Sequence, residues 1–162
     1  MLETNNRPID VFISHSSDDG EFAKELCAAI EKSGYRCWIS SRDITAGMDW
    51  SSSITHAIEQ SSVVLVIYSR NSSRSTQVPK EITLAENKGS YIIPYKIDDM
   101  PLTEYYEYHL ANSHWIQYDA QSGDMKLAEL CGAIASVTGK TATPAAYVPS
   151  AATSQYTKPV NA

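Results

Sequence analysis

The first regular pattern begins at Ile9, where "IDVFIS" (9–14) is a short apolar run that predicts a strand. Ser17, Asp18 and Asp19 then offer helix N-caps, and Phe22, Leu26, Ala29, Ile30 and Ser33 keep helical spacing until Gly34 stops the helix. "YRCWIS" (35–40) predicts a second strand, and "SRDITAGMD" a loop hinged at Gly47. Trp50, Ile54, Ala57, Ile58 and Ser61 mark a second helix. "SVVLVIYS" (62–69) is the most apolar stretch, and its unalternated β-branched run predicts a central strand covered on both faces. Another helix follows and ends near Gly89. "YIIPYKI" (91–97) predicts a fourth strand, in which Pro94 needs a site without ladder donation. "DDMPLTEYYEYHLANS" reads as loop and short helix, and "HWIQYD" as a short fifth strand. Residues 124–138 carry a last helix on Met125, Leu127, Leu130, Cys131, Ile134 and Val137.

Strands alternating with helices predict an α/β domain: an open, five-stranded, flavodoxin-like parallel sheet with helices on both faces. The domain is expected to span 1–139. Residues 140–162 are mostly Ala, Thr, Ser and Pro without periodicity, which predicts a disordered tail or a linker. In such sheets the functional crevice lies beyond the carboxyl ends of the strands. Three segments therefore converge there: "SHSSDDG", "SRDITAGMDW" and "SRNSSRSTQVPKE".

The helix opening with "STQVPKE" has one misplaced charge. With Val78 at zero and 100° per residue, Ala85 falls near about −20°, Ile82 near about +40° and Leu84 near about −120°. Glu81 falls near about −60°, inside that apolar arc, at the crevice rim. Two readings stand: an acidic residue complementing the dipole of a first turn, or a carboxylate held partly buried for chemistry.

Composition narrows the classes. The chain has 162 residues, 13 basic against 19 acidic for a formal charge of −6, and its cations do not cluster as a phosphate-neutralising surface would. Hence neither nucleic acid nor a membrane is expected as partner, since no apolar run approaches the length of a bilayer span. Cys27, Cys37 and Cys131 are odd in number and sit in apolar contexts, which predicts reduced buried thiols and a cytoplasmic location. Neither glycine-rich phosphate cradle occurs. Tyr68-Ser69 stand where a phospho-accepting receiver would want aspartate. His15, His56, His109 and His114 have no metal spacing, and no G-x-S-x-G elbow supports a serine nucleophile.

Taken together, "DVFISHSSDD", "GYRCWISSRDITAGMDWSSSITHAIEQSSVVLVIYS" and "SRNSSRSTQVPKEITLAENKGSYIIPYKIDD" resemble the Toll/interleukin-1 receptor (TIR) domain in its bacterial form, over roughly residues 8–138. The resemblance implies one of two functions. Some members only associate through TIR–TIR contacts; others cleave NAD⁺ at the nicotinamide–ribose bond, releasing nicotinamide with ADP-ribose or a cyclic isomer. The enzymes carry a glutamate in a Trp-x-x-x-Glu pattern after the third strand, which maps to Glu81, with Gln77 standing where the tryptophan would be. Ser16 and Ser17 occupy the positions of basic residues in some members, next to His15. The loop "SRDITAGMDW" resembles the family's BB loop, a substrate lid and self-association element. There Arg42 would meet a phosphate, Ile44 would cover the ligand and Trp50 would wall the pocket, with Asp43 and Gly47 counted among the substrate-binding residues. The structural alternative gives Gly47 a hinge role, Asp49 a capping role and Trp50 the start of a core stripe. Tyr105 is the nearest candidate for the aromatic that stacks on nicotinamide in some members.

The expected substrate is NAD⁺, with no cofactor and no metal, and the expected setting is bacterial anti-phage signalling with a downstream effector or sensor protein. A non-catalytic TIR–TIR scaffold is the alternative, and a nucleoside deoxyribosyltransferase-like enzyme a more distant one.

Overall fold

The computed structural model describes residues 7–44, 46–119, 121–123 and 125–140. Five parallel strands are ordered β2-β1-β3-β4-β5: β1 (Ile9–Ser14), β2 (Cys37–Ile39), β3 (Ser61–Tyr68), β4 (Tyr91–Lys96) and β5 (Ile116–Gln117). This is the open α/β architecture that the alternating pattern predicts. The helices are α1 (Gly20–Lys32), α2 (Ser40–Asp43), α3 (Trp50–Glu59), α4 (Arg70–Ser73), α5 (Gln77–Lys88), α6 (Glu104–Leu110) and α7 (Leu127–Thr138), with a 3₁₀ turn at Ser17–Asp19.

The strands' two-residue period sorts the core into two layers. Val11, Ile13, Val63, Leu65 and Ile67 face α1 and α7, meeting Phe22, Leu26, Ile30, Leu130 and Ile134. Phe12, Val64, Val66 and Tyr68 face the other way, onto Ile54 and Ile58 of α3, Val78 and Ile82 of α5, and Tyr106 of α6. Every residue of β3 is buried, as its unbroken apolar run requires. Pro94 shares parity with Lys96, whose carbonyl accepts from the Tyr118 N–H on the β5 side. The β4–β5 ladder starts only at Tyr95 and Ile116, so the missing proline donor falls where no ladder bond is due.

Three local expectations need correction. The second strand is three residues rather than six; at its carboxyl end the Asp43 carboxylate folds back to accept from the Ile39 N–H at 2.9 Å, where the chain turns into α2. The third-strand exit, to which the sequence pattern assigns no element, holds α4, closed by a reciprocal Ser69–Ser72 capping box. Trp50 does not begin the core stripe of α3; it is half exposed, and the buried stripe starts at Ile54. Asp49 does cap that helix, accepting from the Ser52 N–H at 2.8 Å.

Gly89 ends α5 in the left-handed region at φ 72°, which is costly for any residue with a Cβ. Gly89→Ala should lower stability by about 1 kcal/mol in urea denaturation, with an unchanged denaturant slope.

Both ends of the described chain are fastened at the amino pole of the sheet. Arg7 donates to the Ser61 carbonyl (3.0 Å), to Ser90 Oγ (3.0 Å) and to the Lys88 carbonyl (2.6 Å). Lys140 donates to buried Asp10 at 2.8 Å, while its carbonyl accepts from the Tyr35 hydroxyl. Of the expected tail only Lys140 is described; 141–162 lie outside the described residues.

Candidate active site

The sheet order reverses direction between β1 and β3, where a crevice opens at the carboxyl ends of the strands. A cleft of about 660 Å³ lies there, within the usual range for small-molecule sites. Its walls come from four segments: His15 to Asp18 after β1, Ser40 and Ser41 after β2, Asn71 and Arg74 to Thr76 after β3, and Gln77 and Glu81 on α5. Trp50, at the start of α3, and Gly20 and Lys24 of α1 complete it.

Glu81 is 5% exposed, between Val78 and Ile82 on the buried face of α5. One carboxylate oxygen accepts from Ser14 Oγ at 2.8 Å, the last residue of β1, and the other from Gln77 Nε2 at 3.4 Å. Burial disfavours the charged form more strongly than these two donors favour it, and the carboxyl is pushed up to about 7. The inward position that helical geometry assigns to Glu81 is therefore the observed one, deeper than a rim.

His15 is also constrained. Its Nδ1 lies 2.7 Å from the Ser16 carbonyl, which can only accept, so Nδ1 carries the proton. Its Nε2 is buried without a hydrogen-bond partner among the described residues. Burial lowers its affinity for a second proton, so the ring is neutral near pH 7.

Behind the cleft, Asp19 ties two walls together. It is fully buried and accepts from Ser69 Oγ at 2.5 Å and from Asn71 Nδ2 at 2.8 Å. Burial raises its pKa, against the lowering by those two donors. The expected helix cap is thus not what Asp19 does. Ser16 Oγ accepts from the Asp18 N–H instead, and the Asp19 and Gly20 N–H groups are taken by the Ser16 and Ser17 carbonyls.

The structure brings His15, Ser16, Ser17, Trp50, Gln77 and Glu81 to one cleft and leaves the other candidates out of it. Arg42 is held by Glu31 at 2.5 Å, by Asp43 at 2.9 Å and by the Cys37 carbonyl at 3.0 Å, so its guanidinium is already engaged away from Glu81. Asp43 lines a separate groove of about 590 Å³ beneath the loop, with Trp38, Met48 and His56. Ile44 packs against the core layer of α3 and α5. Gly47 turns the loop at φ 88° with open space around it. Tyr105 bonds the Pro79 carbonyl at 2.7 Å and Thr83, on the outer side of α5. Sequence reasoning did not single out Lys24, Asn71 or Arg74: the last two lie in the converging segment after β3, and only the fold brings Lys24 of α1 to the same cleft.

Cys27, Cys37 and Cys131 are buried and free. Among the described residues no group of His, Cys, Asp and Glu is arranged to hold a metal, and no helix is long and apolar enough to cross a membrane.

Solved structures share the fold. The TIR domain of the Toll-related receptor TRR-2 from Hydra magnipapillata superposes with a TM-score of 0.60 at 21% identity, covering 68% of this chain and 84% of that one. A TIR-STING receptor from C. gigas, solved with 2′,3′-cGAMP, gives 0.61 at 20% identity, over 85% of this chain and 42% of the receptor. The TIR domains of the activated Roq1 resistosome give 0.51 at 20% identity, over 81% and 84%. No curated protein sequence matches the chain. The family model for the TIR domain matches residues 11–131, more than half of the chain, and the protein belongs to the TIR domain family.

Proposed function

We propose that this protein is an NAD⁺ nucleosidase, splitting the nicotinamide–ribose bond to give nicotinamide and ADP-ribose or a cyclic isomer. The observation that carries the reading is Glu81, a buried carboxylate at the switch-point crevice whose two oxygens hold only one side-chain donor each. Ordinary glycoside hydrolysis needs a second carboxyl to protonate a poor leaving oxygen. Nicotinamide leaves NAD⁺ as a neutral base: the C–N bonding pair returns to the ring nitrogen, so no acid is required. What remains is positive charge growing on the ribose, and a fixed carboxylate in a low-dielectric wall stabilises it. Water then adds at the anomeric carbon and loses a proton, for which a carboxylate titrating near 7 is suitably matched. For a cyclic product, an adenine nitrogen or ribose hydroxyl of the same molecule attacks in place of water. No cofactor is needed.

The test is nicotinamide release from NAD⁺ by the purified protein, with product identification by chromatography. No release at any protein concentration would overturn the reading.

Self-association belongs to the same proposal. Met48, in the loop before α3, and Trp50, the first residue of α3, are 52% and 50% exposed, within the segment that resembles the family's association element. The related Roq1 TIR domains were solved within a resistosome. Met48→Asp should lower the concentration dependence of activity and the apparent mass in light scattering, while leaving thermal stability within about 0.5 kcal/mol. The proposed setting is cytoplasmic anti-phage signalling in a bacterial cell, by depletion of NAD⁺ or release of a cyclic signal to an effector.

A further inference from the structure

We propose that Lys24 and Arg74 form a diphosphate subsite at the mouth of the Glu81 cleft, so that the cleft selects a dinucleotide over a nicotinamide nucleoside. The assignment rests on the reading of Glu81 as the group that meets the nicotinamide ribose.

Both residues line the cleft and both are exposed, whereas Glu81 forms part of its buried floor. Among the described residues neither side chain makes an ion pair or a hydrogen bond, unlike Arg42, paired to Glu31 and Asp43, and Lys140, paired to Asp10. In a chain of formal charge −6, two unpaired cations in one concavity mark where an anion gains most from the local field. Ser75, beside Arg74, adds a donor. Its oxygen accepts from the Gln77 and Val78 N–H groups, which leaves its own O–H to point at an acceptor.

The charges are patterned rather than uniformly positive. Asp18 and Glu81 line the same cleft, so a simple polyanion is not the best fit. NAD⁺ carries two phosphate charges and one pyridinium charge. Two cations at the rim and one carboxylate at the floor match that arrangement end for end. Arg74 also presents a planar fork suited to phosphate oxygens, while Lys24 acts as a point charge.

The experiment separates the subsite from the reaction by measuring binding in the Glu81→Gln background, where turnover is suppressed. ADP-ribose, inorganic pyrophosphate and nicotinamide riboside are titrated by Trp fluorescence or NMR into that protein and into the same protein carrying Lys24→Ala and Arg74→Ala. The double substitution should weaken ADP-ribose about 30- to 100-fold, about tenfold for each lost charge-assisted contact. Pyrophosphate binding should disappear, nicotinamide riboside should bind unchanged, and the loss should shrink at high salt. Lys24→Arg should restore most of the affinity. Pyrophosphate that fails to bind the parent, ADP-ribose affinity within twofold of the parent, or an equal loss for nicotinamide riboside would each overturn the subsite. A wild-type protein that releases no nicotinamide but binds pyrophosphate through these two residues sinks the nucleosidase reading and leaves the subsite standing.

Discussion

Glu81→Gln should reduce nicotinamide release by at least about 10²- to 10³-fold, the loss expected when a preorganised charge is taken from a developing transition state. The same substitution should make the protein more stable above neutral pH. The folded carboxyl titrates near 7 rather than at its ordinary 4.5, because burial penalises its charge. The folded state therefore keeps this proton where the unfolded chain has lost it. Stability is full below about pH 4.5 and is lost as pH rises through about 7, by about 3 kcal/mol once both forms are ionised. Glutamine has no such loss and can still accept from Ser14, so the gain in melting temperature should be clear at pH 8 and absent at pH 4.5. In activity the sign is opposite: kcat/KM should climb through about pH 7 as the carboxylate forms. A bound pyridinium favours the ionised form, so kcat should reach its plateau at lower pH than kcat/KM. A mutant with unchanged activity, or one less stable at pH 8, would refute this account.

Asp19→Ala should be the more damaging change to the fold, costing about 2–4 kcal/mol by urea denaturation. The substitution takes the acceptor from buried Ser69 Oγ and from half-buried Asn71 Nδ2, which lines the cleft. Ser69 is also the cap of α4, so its reorientation loosens the segment that carries Asn71 and Arg74 to the cleft. KM for NAD⁺ should therefore rise along with the loss of stability. Asp19→Asn, isosteric but able to accept from only one donor in the same geometry, should fall between. A cost below about 0.5 kcal/mol would show that the two walls hold together without this carboxylate.

The features legible in the sequence are those set by local period. β1 is read to the residue, β3 to within one, and the inward aim of Glu81 follows from its angle relative to Val78, Ile82 and Ala85. Less legible were features decided by partners far along the chain. Ser14 meets Glu81 across 67 positions, and Asp19 meets Ser69 across 50, and no periodicity encodes either pairing. The turn at α2 depends on one side chain returning to the Ile39 N–H, a competition between strand and turn that composition leaves undecided. Arg42 has the right charge and a plausible place for a phosphate contact; Glu31, eleven residues earlier on α1, already occupies it. Tyr105 fails by direction, since α6 delivers its hydroxyl to the far side of α5. Trp50 looks like core by period alone, yet its position at the first turn of α3 leaves it beside the cleft.

The fastening of Arg7 and Lys140 at the amino pole has a practical corollary for any assembly built around this domain. Parallel strands place that pole at one end of the molecule and the Glu81 cleft at the other. A partner module or purification tag joined directly at either anchor starts from the back of the domain, with the cleft mouth on the opposite side. Such an attachment can bring many copies to one site while leaving each cleft mouth unobstructed.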